Sequence, residues 1–161
     1  MLKRMIFCVL LVLVSAVVYA SSPQDMSACL PDTIGNYKSS KDAVVTDHKN
    51  DVLSVSRQYQ YEGKIVNVSI WKIPGNKEIW PYIGGKSKAN LMIVAGRMCI
   101  LNIDESSGNS TLVINIDKAY LTPPPYLYRV SVNTSNTTDN TVVQTIGENL
   151  DYDNLFALYG K

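Results

Sequence analysis

The chain has 161 residues, with 15 Lys and Arg against 14 Asp and Glu, one His and 18% charged residues, so it is about one domain long and nearly neutral. That balance excludes nucleic acid and anionic membrane as main partners, because both need a concentrated basic field. A hydrophobic content of 46% is that of a globular chain and excludes a disordered one.

Lys3 and Arg4 precede an apolar run from Ile6 to Val14, which fades through Ser15 to Val18, and Val18-Tyr19-Ala20 offers small residues at both cleavage-defining positions. Residues 1–20 therefore read as a cleaved export signal, and residues 21–161 as a single globular domain. Loss of Lys3 and Arg4 leaves 13 basic against 14 acidic side chains. The apolar centre, about fourteen residues, falls short of the roughly 20 that span a bilayer, so no stable membrane insertion is expected after cleavage. Met26-Ser27-Ala28-Cys29 carries the small residues of a lipidation signal. Ser21 to Asp25 separates it from the apolar run, which argues against a lipid anchor at Cys29.

Cys8 leaves with the signal, and Cys29 and Cys99 then face an oxidising periplasmic or secreted environment. A Cys29–Cys99 disulfide is the expectation; it closes a loop of about 70 residues, worth roughly 4 kcal/mol in the chain-entropy picture. The alternative is two separate thiols, since Cys99 lies in the apolar run Met98 to Leu101 and cysteine packs as a small hydrophobe.

Along the domain, Ser21 to Gln24 reads as a loose leader and Leu30 to Tyr37 as an irregular opening segment, whose Pro31 and Gly35 forbid a long helix. Ala43-Val44-Val45 is a short first strand. The strongest signal is a hairpin: Leu53, Val55 and Tyr59 fall on one face of the first strand, and Val66, Val68 and Ile70 on one face of the second. Gln60-Tyr61-Glu62-Gly63 supplies the turn. Arg57 interrupts the inward face and places that end of the hairpin near the sheet margin. Lys77 to Gly85 reads as a loop with about one helical turn, because Pro81 and two glycines break it.

Leu91 to Val94 and Met98 to Ile103, separated by Ala95-Gly96-Arg97, suit two strands or one bulged strand. Thr111 to Ile116 is a further strand, Thr122 to Pro125 a stiff connector, and Tyr126 to Val132 the last strand. Then the period changes: Val142, Val143, Ile146 and Leu150 recur at helical spacing behind Asp139 as N-cap, and Leu155 to Tyr159 packs back onto the domain. The sum is an α+β domain, an antiparallel sheet of five or six strands packed by a C-terminal helix.

Little in the chain builds chemistry. Gly84-Gly85-Lys86-Ser87 ends like a phosphate loop but has Trp80 where the first Gly belongs. His48 lies between acids in Thr46 to Asp51; a metal or a catalytic triad would need further groups converging on it, and the plain reading is a polar turn. No metal, cofactor or catalytic set is assigned. The better lead is aromatic: Trp71, Trp80 and Tyr82 surround a Pro/Gly-rich stretch, and rigid aromatic side chains make a partner surface at low entropic cost. The competing reading is that Trp71 and Trp80 fill the edge of the core.

Leu30-Pro31 followed by Gly35-Asn36-Tyr37-Lys38, then Leu53 to Tyr59, the spacing of Val66, Val68 and Ile70, and the closing Asp151 to Leu155 resemble a group of small exported bacterial proteins of unassigned function. The resemblance implies a Mog1/PsbP-like layout, used for binding and assembly more often than catalysis, and the chain departs from the group between Trp71 and Asn90, where a helix is expected. The function read from these features is that of an exported, non-enzymatic binding or accessory protein whose partner is another extracytoplasmic protein. The alternatives are an inhibitor or immunity protein against a periplasmic toxin or cell-wall hydrolase and, from a different class, a hydrolase using His48.

Overall fold

Ser22 opens the first helix with a reciprocal cap. Its Oγ accepts from the Asp25 amide at 3.2 Å while Asp25 Oδ2 accepts from the Ser22 amide at 2.9 Å, and Pro23 occupies the first helical turn. These contacts fix helix α1 (Pro23–Ala28) where the sequence reads a loose leader; the missed signal is the Ser-x-x-Asp spacing with Pro inside it. The computed structural model describes residues 21–75, 88–116, 124–135 and 137–160.

Nine strands follow among the described residues: β1 (Thr33–Ile34), β2 (Tyr37–Ser39), β3 (Val44–His48), β4 (Val52–Tyr61), β5 (Lys64–Pro74), β6 (Lys88–Val94), β7 (Arg97–Asp104), β8 (Asn109–Asn115) and β9 (Tyr126–Ser135). The chain closes with α2 (Asn140–Glu148), α3 (Tyr152–Ala157) and a 3-10 turn, Leu158–Gly160. All strand pairs are antiparallel in one sheet of order β1-β2-β4-β5-β9-β8-β7-β6, with β3 also on β4. The α+β class holds, with a larger sheet than expected. Part of the excess comes from one broken strand: β2 pairs with Gln60 and Tyr59, and β3 with Ser56 to Val52, in succession along the same edge of β4.

Two-residue turns set the registers. Glu62 and Gly63 join β4 to β5 with φ of 49° and 77°, the left-handed pair that matches strand twist, and Ala95-Gly96 joins β6 to β7 in the same way. The second pair makes Leu91 to Val94 and Met98 to Ile103 two strands rather than one bulged strand. The loop read at Lys77 to Gly85 and the connector through Pro123 lie outside the described residues.

Alternation then divides the sheet into two faces. The expected inward residues Val55, Tyr59, Val66, Val68 and Ile70 join Leu112, Ile114, Tyr128, Val130 and Val132 in one core, all at most 2% exposed. Against them pack Met26 and Leu30 from the α1 region, Val142, Val143 and Ile146 from α2, and Leu155 from α3. Asp139 caps α2 as expected, accepting from the Thr141 amide, and also meets Lys64 Nζ at 3.1 Å. The helix comes so close that a Cβ at Gly147 would stand 3.0 Å from both Leu112 Cδ2 and Val94 Cγ1.

Arg57 does sit on the inward face, and it is employed there. Its guanidinium donates to Leu30 O at 2.7 Å and Ser39 Oγ at 2.8 Å and pairs with Asp32, tying the β1–β2 corner to β4. Tyr59 donates to Pro31 O at 2.9 Å in the same corner.

Candidate functional site

The second face of the sheet is built from the intervening residues, and their ladder partners form lateral rows. One row runs Ser54, Trp71, Arg129, Asn115; the next runs Val44, Ser56, Ser69, Ser131, Val113, Ile100, Leu91; a third runs Gln58, Asn67, Asn133, Thr111, Asn102. Hydroxyl and amide groups bond across the strands: Ser56 to Ser69 at 2.8 Å and Thr111 to Asn133 at 2.7 Å. Val52, Ile73 and Val113 are buried here but stand outside the main core.

Trp71, the first of the three aromatic residues expected to bind a partner, lies on this face and is half-buried. Its Nε1 donates to Ser131 Oγ at 3.0 Å, and its ring stacks on His48 at 5.0 Å between centroids. Two strands and a hydrogen bond thus hold the indole in one orientation. Trp80 and Tyr82 lie outside the described residues.

His48 closes β3 instead of standing in a polar turn; the turn is Lys49 to Asp51, just after it. Its Nε2 meets Ser54 Oγ at 2.8 Å, a hydroxyl–imidazole pair of the kind a hydrolase would use. Asp47 pairs with Leu53 and so belongs to the opposite face of the strand, and no acid among the described residues contacts His48. The stack on Trp71 is what fixes the ring. No three His, Cys, Asp or Glu side chains converge as a metal set among the described residues.

Cys29 and Cys99, expected as a disulfide, are both buried and are not bonded to each other in this structure. The Cys29 thiol donates to Asp25 O at 3.4 Å and Asn154 O at 3.5 Å, and the Cys99 thiol to Arg97 O at 3.3 Å. Cys29 follows α1, which packs on β4, whereas Cys99 lies in β7, four positions along the sheet order. Burial pushes the Cys99 thiol above its usual pKa. Beside it, the Arg97 guanidinium lies between the Tyr152 and Phe156 rings at 4.4 and 4.2 Å, which fastens α3 to β7.

The feature that sequence reading missed is at the far edge. Leu91, Ile93 and Met98 are 73%, 76% and 67% exposed, all on the second face of the β6–β7 hairpin, with Ile93 directly opposite Met98. Periodicity hides them because Met92 and Val94 on the other face are apolar too, so the run reads as wholly buried. At the opposite margin are two shallow depressions. One, of about 460 Å³, is lined by Asn36, Lys38, Gln60, Tyr61 and Glu62 among others; the other, of about 200 Å³, includes Val44, Ser56, Gln58 and Asn67.

No helix among the described residues is long and apolar enough to cross a membrane. Comparison with known protein families, curated proteins and solved structures finds no match to this chain, so the likeness to small exported bacterial proteins gains no support from it.

Proposed function

We propose that the protein is an exported, non-enzymatic binding or accessory protein that engages another extracytoplasmic protein through the second face of its sheet. The observation that carries this reading is the strip of Leu91, Ile93 and Met98, three large apolar side chains held in water side by side on a rigid hairpin. β6 is also the end strand and pairs only with β7 among the described residues, so it offers main-chain groups beside the apolar strip. Trp71 lies further along the same face, three strand steps from Met98, or about 14 Å at ordinary strand spacing. That span suits a protein surface better than a small ligand. The export signal read in residues 1–20 supports a partner outside the cytoplasm.

The test is affinity capture from periplasmic extract by the exported protein and by the triple variant Leu91→Asp, Ile93→Asp, Met98→Asp. The wild type is expected to retain one stoichiometric protein partner, and the variant to lose at least tenfold in affinity with its stability nearly unchanged. Equal capture by the two proteins would reject the surface. A toxin or wall hydrolase as the captured protein would turn the accessory reading into inhibition.

A further inference from the structure

Five sulfur atoms belong to the described residues, and the fold exposes one of them. Met26 is 0% exposed, Cys29 and Cys99 are 5% and 1% exposed, and Met92 packs against the core with its Sδ accepting from Gln144 Nε2 at 4.0 Å. Burial raises the Cys99 pKa, which holds that sulfur in the thiol form, the less reactive one toward oxidants. Met98 is 67% exposed on the second face, directly opposite Ile93 across the β6–β7 ladder. Thiols are ordinarily the first sulfurs to react; here access reverses that order and leaves a thioether in front.

We propose that Met98 is an oxidation site for peroxides, and that its sulfoxide switches off the apolar strip of Leu91, Ile93 and Met98. The switch rests on the docking role proposed for that strip, whereas the oxidation site does not. With hydrogen peroxide, the sulfur lone pair attacks one oxygen and forms the S–O bond. The O–O bond breaks, and the departing oxygen takes the proton of the transferred hydroxyl and leaves as water. Sulfur is oxidised by two electrons and the peroxide is reduced by two. On the free protein, water donates to the new oxygen, so the exposed hairpin accommodates it. Under a partner that water is displaced, and the neighbouring Leu91 and Ile93 side chains carry no donor to replace it. Oxidation therefore weakens docking without loosening the fold. The buried sulfurs could not serve in this way, because an oxygen on Met26 or Met92 would disturb the packing of the core. Methionine sulfoxide reductases return the thioether, so the change is reversible.

The experiment treats the folded exported protein with hydrogen peroxide and locates the added oxygen over time by peptide mass mapping. Tm and capture from periplasmic extract are measured before oxidation, after it, and after incubation with reductases for both sulfoxide epimers. Met98 is expected to gain oxygen at least ~10-fold faster than Met26 or Met92, with Tm nearly unchanged and capture reduced about tenfold, then restored by the reductases. Met98→Leu, whatever its starting level of capture, is expected to show the same capture before and after oxidation. Comparable oxidation at Met92, or earlier oxidation at a cysteine, would overturn the site. A loss of capture that the reductases do not restore would overturn the switch. So would full capture by the Met98 sulfoxide where the triple variant of Leu91, Ile93 and Met98 has lost it, with the docking reading left in place. Equal capture by that triple variant and the wild type would overturn the docking reading and the switch together, while the oxidation rates still decide the site.

Discussion

The two faces of the sheet come from the same strands, yet they are held together differently. On the core face Val66, Val68 and Ile70 are backed by Val130, Val132 and the helices, and stability there comes from apolar area taken out of water. On the second face the same strands present Asn67, Ser69 and Trp71, and lateral hydrogen bonds replace helix packing. One residue of register separates a face backed by helices from one held by lateral hydrogen bonds.

Substitutions should respect that division. Ile114→Ala, which opens a cavity beneath Gly147 on the core face, is expected to cost about 2 to 5 kcal/mol in urea unfolding of the exported protein. A loss under about 1 kcal/mol would mean that the helix layer relaxes onto the sheet and that the faces differ less than their burial suggests.

Alkali tests the same face by titration. Burial pushes the Tyr59 hydroxyl from its usual 10 up to about 12, and Tyr152 is raised to about 12 for the same reason. A folded pKa above the unfolded one gives stability that is complete below pH 10 and lost between 10 and 12, where the unfolded chain ionises first. For Tyr59 the gap corresponds to about 2 to 3 kcal/mol. Ultraviolet titration should show late-ionising tyrosines followed by cooperative unfolding. Ionisation of every tyrosine near pH 10 with the fold intact would refute it.

The smallest effect belongs to the second face. Ser131→Ala removes the acceptor of the Trp71 indole, a single neutral hydrogen bond on a half-buried ring, and the cost is expected to be about 1 kcal/mol. A shift of the Trp71 indole N–H resonance without a large change in Tm would confirm that this bond orients the ring. A loss comparable with Ile114→Ala would show that the second face carries stability after all.

The division into faces was legible from residue type alone in β4, β5, β9 and α2, where apolar residues alternate with Ser, Asn and Gln or recur at helical spacing behind Asp139. It was not legible in β6, because Leu91 to Val94 is apolar on both faces and period says nothing about which side meets water. β1 and β2 escaped notice because two- and three-residue strands are too short to show a period; their pairing depends on the Gly35 corner and on Arg57. Trp71 stands out in the sequence as a large aromatic beside a Pro/Gly-rich stretch, but its neighbours His48 and Ser131 come from 23 and 60 residues away and meet it only through strand pairing. Lys72 on the core face ran against every sequence rule, and only its partner, the Ser21 carbonyl at 3.1 Å, explains it.

The ladder between β5 and β9 has a kinetic meaning. β1 to β5 form one run of neighbouring strands and β6 to β9 another, and each can assemble from contacts close in sequence. Among the described residues the two runs pair only where Ile65 to Pro74 lies beside Tyr126 to Ser135, across more than 50 residues of chain. The loop entropy of that single closure falls due before any of its ten residue pairs can repay it. The strand order therefore divides the sheet into two meanders joined at one seam.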